Sequence, residues 1–128
     1  MALLLDTHAF LWWIAGNERM PIPTRKAIGG SELDVFVSAA SAWEIAIKHS
    51  LGKLPEAESL ADDIAGNIVE QGFSPLPITV RHAERAGRLP LHHRDPFDRV
   101  LIAQAHVDGL TLISNEALFD RYDVMRLW

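Results

Sequence analysis

Short apolar runs alternate with helical patterns along this whole chain, and that alternation restricts its fold more than any other feature. The run "ALLLD" (2–6) is apolar with a polar stop, which predicts a buried strand, and "THAFLWWIAG" after it reads as a helix ending at Gly16. "IPTRKAIGGSEL" (22–33) predicts a short helix with Pro23 near its start, weakened at its end by Gly29 and Gly30. "DVFVSAAS" (34–41) holds a second β-branched strand, and "SAWEIAIKHSLGKL" (41–54) a helix closed by Gly52. A helix over 59–72, a proline-marked edge strand over 73–78 and a helix over 79–90 follow. The loop "LHHRD" then leads to a helix from Pro96 to His106, the strand "LTLIS" (110–114), the short helix "NEALFDRY" and a last strand "VMRLW". Strands that alternate with helices in this way predict an α/β fold with a mainly parallel sheet.

At 128 residues the chain is expected to form a single domain, 1–128, with a substantial core. It has no cysteine, which excludes disulfides, thiolate metal sites and a cysteine nucleophile, and fits a reducing cytoplasm. The start "MALLLDTHAFLWW" has no basic leader or small-residue cleavage site, and no run approaches the roughly 20 apolar residues of a membrane span. The net charge of −5 argues against a simple basic coat for nucleic acid. It does not exclude a nuclease, because a cation site gathers carboxylates.

In an open parallel sheet, ligands bind at the edge formed by the carboxyl ends of strands and the amino ends of the helices that follow. Four acids from distant segments are expected at that edge. Asp6 ends the first strand, Glu44 lies in the first turn of its helix, Asp98 opens the helix after Pro96, and Glu116 comes two residues after the fourth strand. Carboxylates are natural ligands of Mg²⁺ and Mn²⁺, which polarise phosphoryl oxygens and acidify bound water. Each acid also has a structural reading. Asp6 suits a helix N-cap, Glu44 and Lys48 a helical ion pair, Asp95-Pro96-Phe97-Asp98 a helix start, and Glu116 the beginning of its short helix. The residues alone leave both readings open, with Asp6, directly after "LLL", the acid most in need of a partner.

The segments "LLLDTHAFLWW", "SAASAWEIAIKHSLGKL", "HHRDPFDRVLIAQA" and "LTLISNEALFDRYDVMRLW" resemble, in order and spacing, the PIN-domain family and its VapC-like branch of type II toxins. The resemblance runs over nearly the whole chain. It implies a Rossmann-like three-layer α/β/α sandwich, Mg²⁺- or Mn²⁺-dependent ribonuclease activity by a metal-activated water, a 5′-phosphate and a 3′-hydroxyl as product ends, a homodimer and an antitoxin partner. On that resemblance Asp6, Glu44 and Asp98 match the first three acids of the family. Glu116 stands where the fourth is usually aspartate, and Asp95 is the reserve ligand.

Other residues carry paired readings. Thr7 and Ser114 have hydroxyls placed to hold a carboxylate or a metal-bound water, or to serve a cap. Ser41 is read as the N-cap of the Glu44 helix, since no histidine–acid partner marks it as a nucleophile. His92 and His93 are adjacent in a loop, so their rings are expected to point apart and not to chelate. Arg94, Arg99 and Lys48 are candidates for RNA phosphates, with pairing to the acids as the alternative. "FLWWI" (10–14) exceeds one apolar helix face and implies deep burial or a second chain. Two rival functions remain at this point. One is a PIN-like RNA- or protein-binding module weakened at Glu116. The other is a nucleotide-binding domain, disfavoured because "DTHAF" lacks the glycines of a phosphate loop.

Overall fold

A computed structural model describes residues 2–30 and 32–128. All five strands run parallel, in the order β3-β2-β1-β4-β5. They are β1 (Leu3–Leu5), β2 (Val35–Ser38), β3 (Ser74–Leu76), β4 (Thr111–Ile113) and β5 (Arg126–Leu127). The helices are α1 (Thr7–Ala15), α2 (Ile22–Gly29), α3 (Ala39–Ser50), α4 (Glu58–Ala61), α5 (Ile64–Glu70), α6 (Val80–Arg88) and α7 (Pro96–Asp108). Central β1 is the shortest path to the architecture. Its alternating side chains send Leu3 and Leu5 into one core with Phe10, Val37 and Ile45, and Leu4 into the other with Leu101, Ile102, Leu112 and Phe119. A sheet buried on both faces needs helices on both, which gives the three-layer α/β/α sandwich.

The register places Leu5 of β1 between Val37 of β2 and Ile113 of β4. From β1 the chain winds outward through β2 to β3, then crosses back to β4 on the other side. The carboxyl ends of β1 and β4 therefore flank the point where the winding reverses, the place where such folds open a crevice. The prolines of 73–78 do mark an edge: β3 is an outer strand.

Four sequence expectations shift. The helix expected over 59–72 is divided, because Asp63 leaves helical geometry (φ −153°, ψ 77°) and its carboxylate accepts from the Gly66 N–H, starting α5 afresh. The helix after β2 begins at Ala39, so its N-cap is Ser38 and not Ser41; Ser38 Oγ accepts from Ala40 N at 3.0 Å. Glu44 accordingly lies one turn deeper in α3 than the first turn. "NEALFDRY" forms a 3₁₀ helix, Ala117–Tyr122, capped by Glu116. The helix expected over 22–33 ends at Gly29, and its Ser31 lies outside the described residues.

Most of "FLWWI" is satisfied within the chain. Phe10 and Leu11 are buried, Trp13 meets Phe73 at 5.7 Å and donates from Nε1 to Gln71, and Trp12 meets Trp128 at 5.6 Å. Among the described residues no helix is long and apolar enough to cross a membrane.

Candidate metal centre

The crevice is built by chain geometry before any chemistry enters. The Asp6 N–H bonds to the Ile113 carbonyl at 3.1 Å, so Asp6 continues the β1–β4 pairing by one residue. Its Oδ1 then caps α1 through Ala9 N at 2.8 Å. Ser114, just past β4, hydrogen-bonds the Asp6 carboxylate and accepts from the Glu116 N–H at 2.9 Å. Thr7 donates to Glu44 Oε1 at 2.5 Å and lies 3.0 Å from Ser41 Oγ. Its single hydroxyl proton serves Glu44, so the serine donates to it. On the far side Asp95 caps α7, its Oδ1 accepting from Phe97 N and Asp98 N, with Pro96 at the first helical position. That cap orients the first turn of α7 and Asp98 with it.

These carboxylates feel one another. Burial pushes the Asp6 carboxyl up, opposed by the Ser114 and Ala9 hydrogen bonds, with the charge of Glu44 adding to the rise. Asp98 is pushed up to about 7, first by burial, then by Asp95, and in part by Asp6. Lys48 is raised by Glu44, whose Oε2 lies 2.5 Å from Nζ, and it also feels Asp95 and Asp98. Asp6, Glu44, Asp95 and Asp98 thus share one electrostatic neighbourhood, with Lys48 as its counter-ion.

Glu116 stands apart. It is exposed, its Oε1 accepts from Leu118 N at 3.2 Å, and its charge acts on Arg126. Both Glu44 oxygens are taken, by Thr7 and Lys48. Among the described residues no three acidic or histidine side chains form a ready-made cation cage. The donor set nonetheless fits a hard divalent cation. Asp98 is a largely buried carboxylate crowded by like charges, and its Oδ1 has no hydrogen-bond partner among the described residues. A cation would relieve that repulsion.

His92 and His93 do point apart. The His92 ring meets Tyr122 edge-on at 5.3 Å, whereas His93 Nε2 lies 2.7 Å from Asp98 Oδ2. The sequence places His93 in a loop beside His92 with no expectation of chelation, and the spacing carries no signal of its pairing with Asp98. Only the loop path brings its ring back. That path is pinned, since the His93 N–H donates to Tyr122 Oη at 2.6 Å and Tyr122 donates to the Pro90 carbonyl at 2.7 Å.

Arg99 corrects an expectation. It is buried and donates to four carbonyls, those of Ala86, Leu89, Pro90 and His93, at 2.8–3.0 Å. It therefore reaches neither RNA nor the acids. It closes the end of α6 and holds the loop that carries His93. Replacing Arg99 with Met should cost about 2–4 kcal/mol, because several buried carbonyls lose charged donors at once. Urea denaturation reads this as a lower midpoint; an unchanged midpoint would show that water serves those carbonyls equally well. Lys48 is engaged with Glu44, and Arg94 remains exposed.

An all-parallel sandwich with carboxylates near its winding reversal is the architecture of a Rossmann-like domain with an acidic rim. The model of the PIN domain matches residues 3–125, and the chain belongs to the PIN-domain family. Ribonuclease VapC16 of Mycobacterium tuberculosis (strain ATCC 25618 / H37Rv) is 43% identical over 65 residues, covering 51% of this chain and 45% of that relative. The matched segment thus spans less than half the length of that protein. Among solved structures, VapBC2 from Rickettsia felis, bound to a DNA fragment from its promoter, superposes with a TM-score of 0.73 at 13% identity over 99% of this chain and 98% of that one. FitAcB from Neisseria gonorrhoeae gives 0.67 at 21% identity over 98% and 96%. At these identities the structural likeness speaks for the fold.

Proposed function

We propose that this chain is a divalent-metal-dependent endoribonuclease and the toxin of a type II toxin–antitoxin pair. The observation that carries the reading is the pairing of acids past the end of β1 and in the first turn of α7: buried Asp6, whose Oδ1 caps α1, and half-buried Asp98, held by His93, each pushed up by burial and by neighbouring carboxylates. Asp6 and Asp98 would hold the Mg²⁺ or Mn²⁺, and Glu44 joins them once Lys48 releases it. Asp95 serves by starting α7 and by adding negative charge. Glu116 assists from the rim through its backbone bond to Ser114. A bound cation would supply Lewis-acid polarisation of a phosphoryl oxygen and a more acidic water. The chain's own residues set its place: Ser114 and the Ala9 amide fix Asp6, Thr7 fixes Glu44, and His93 fixes Asp98. The relative's name, a VapC ribonuclease, supports RNA as substrate. The solved VapBC and FitAB assemblies support a protein antitoxin, and a homodimer accords with the half-buried Trp12, Trp13 and Ile14.

A purified, antitoxin-free sample given a structured RNA pool should cut with Mg²⁺ or Mn²⁺ and stop with chelator. The Asp6→Asn variant, which keeps the α1 cap, should be inert. Cutting by that variant at the wild-type rate would remove Asp6 from the site. One observation favours a second reading, that of an RNA- or protein-binding module: both Glu44 oxygens are engaged and no cage is preformed. Calorimetric titration separates the two, since a module of that kind binds Mn²⁺ no better than an exposed carboxylate.

A further inference from the structure

Beyond the crevice, a cavity of about 370 Å³ opens between the end of α6, the last turn of α7 and the 3₁₀ helix. Arg85, Arg121, His106, Pro90, Tyr122 and Asp123 lie along it. We propose that this recess is a phosphate subsite for the RNA strand that crosses the carboxylate site, an inference that rests on the ribonuclease reading of that site.

The argument begins with the tautomer of His106. Arg85 Nε donates to His106 Nδ1 at 2.9 Å, and arginine has no acceptor, so Nδ1 carries no proton. His106 Nε2 faces the Tyr122 carbonyl at 2.6 Å and must be the protonated nitrogen. His106 is therefore neutral: it orients Arg85 without cancelling its charge. The two terminal nitrogens of Arg85 have no partner among the described residues, and neither does the guanidinium of Arg121. Arg126 is occupied with Asp120, Lys48 with Glu44, and Arg99 with carbonyls. Two uncommitted guanidinium forks thus face one hollow in a chain whose net charge is −5. Asp123 offsets one of them and leaves the hollow positive.

Guanidinium forks match the paired oxygens of a phosphodiester, and backbone contacts of this kind position a strand without reading its bases. The recess is also linked by hydrogen bonds to the carboxylate site. Tyr122 lines the recess, and the same residue's hydroxyl holds the His93 N–H, whose ring reaches Asp98. Asp98 and His106 are separated along α7 by about 12 Å at a rise of about 1.5 Å per residue, a span of roughly three to four stacked nucleotides. Arg81 and Arg88 border the adjoining hollow on α6, where Glu84 meets Arg88 at 3.5 Å.

The test compares Asp98→Asn protein, which is not expected to cut, with the same protein carrying Arg85→Gln and Arg121→Gln. Binding of a short labelled oligoribonucleotide is measured in Mg²⁺ across a salt series. The proposal expects roughly tenfold weaker binding and a slope of log K against log salt shallower by about 0.7–1.4, one or two single-strand phosphate contacts. Unchanged affinity and slope, or no binding by the parent protein, overturn it. Should the double variant melt early, Arg121→Gln alone, at an exposed position, must give the smaller slope change. In otherwise wild-type protein, hydrolysis of bis(p-nitrophenyl) phosphate with Mn²⁺ should be equal with and without the two substitutions, because a small diester does not span to the recess. Loss of that hydrolysis in the double variant would place the arginines in the crevice and overturn the subsite. Absence of hydrolysis in every sample, with the salt effect intact, would fail the ribonuclease reading and leave the subsite standing.

Discussion

Asp98→Asn is expected to yield a protein that is both inert toward RNA and more stable than the parent without metal. Cleavage should fall at least about a thousandfold, roughly 4 kcal/mol of lost barrier reduction, because an amide oxygen is a poor substitute for a carboxylate on a hard cation. Stability should move the other way. The Asp98 carboxyl is pushed up to about 7 by burial and by Asp95 and Asp6, so at neutral pH its charged form destabilises the metal-free fold. Removing that charge keeps an acceptor for His93 and relieves Asp95 and Asp6. A gain of about 1–3 kcal/mol is expected, below the full value of the raised carboxyl because the group is partly open to solvent screening. At about 3–5 °C per kcal/mol, that is a clear rise in Tm. A melting scan in chelator beside an RNA cleavage assay checks both halves. A variant that is inert and less stable would mean that Asp98 is held by a cation from the chain itself, and not strained for want of one.

The second large effect is the pH dependence of cation binding. A divalent ion competes with the proton on Asp98, so Mn²⁺ affinity should rise about tenfold per pH unit up to about pH 7 and then level off. The metal-free fold should show the opposite trend. A folded-state carboxyl above its unfolded value contributes stability that is fully present below about pH 4 and lost as pH rises through about 7. Cation at a hundredfold excess over its Kd returns about 2.7 kcal/mol above that range, so added Mn²⁺ should raise Tm strongly at pH 8 and little at pH 5. Calorimetry and melting scans across pH measure the two trends together. A flat Mn²⁺ affinity from pH 5 to 8 would place the ion away from Asp98.

Some of this was legible in the chain. Apolar runs ended by Asp6 and Ser114 and capped helix starts at Asp95-Pro96 are local signals, set by hydrogen bonds within a few residues. They announce an α/β fold with acids along one sheet edge. The misreadings were local competitions. Ser38 and Ser41 are equally good caps by composition, and the end of β2 in the sheet selects Ser38. The helix over 59–72 has continuous amphipathic character, and the Asp63 carboxylate interrupts it in favour of its own cap.

Sequence by itself determined the order of strands and helices, the acids at strand ends, and the caps at Asp6 and Asp95, because each depends on near neighbours. Tertiary structure alone decided which acids meet and which cations remain available. Asp6 and Asp98 are brought into one field by the crossing from β3 to β4, Glu116 is left at the rim, and Arg99 is drawn inward by the carbonyls at the end of α6. Arg85 and Arg121 are joined in one recess although 36 positions separate them in the chain. Charge and desolvation act through space, and spacing along a chain does not encode them.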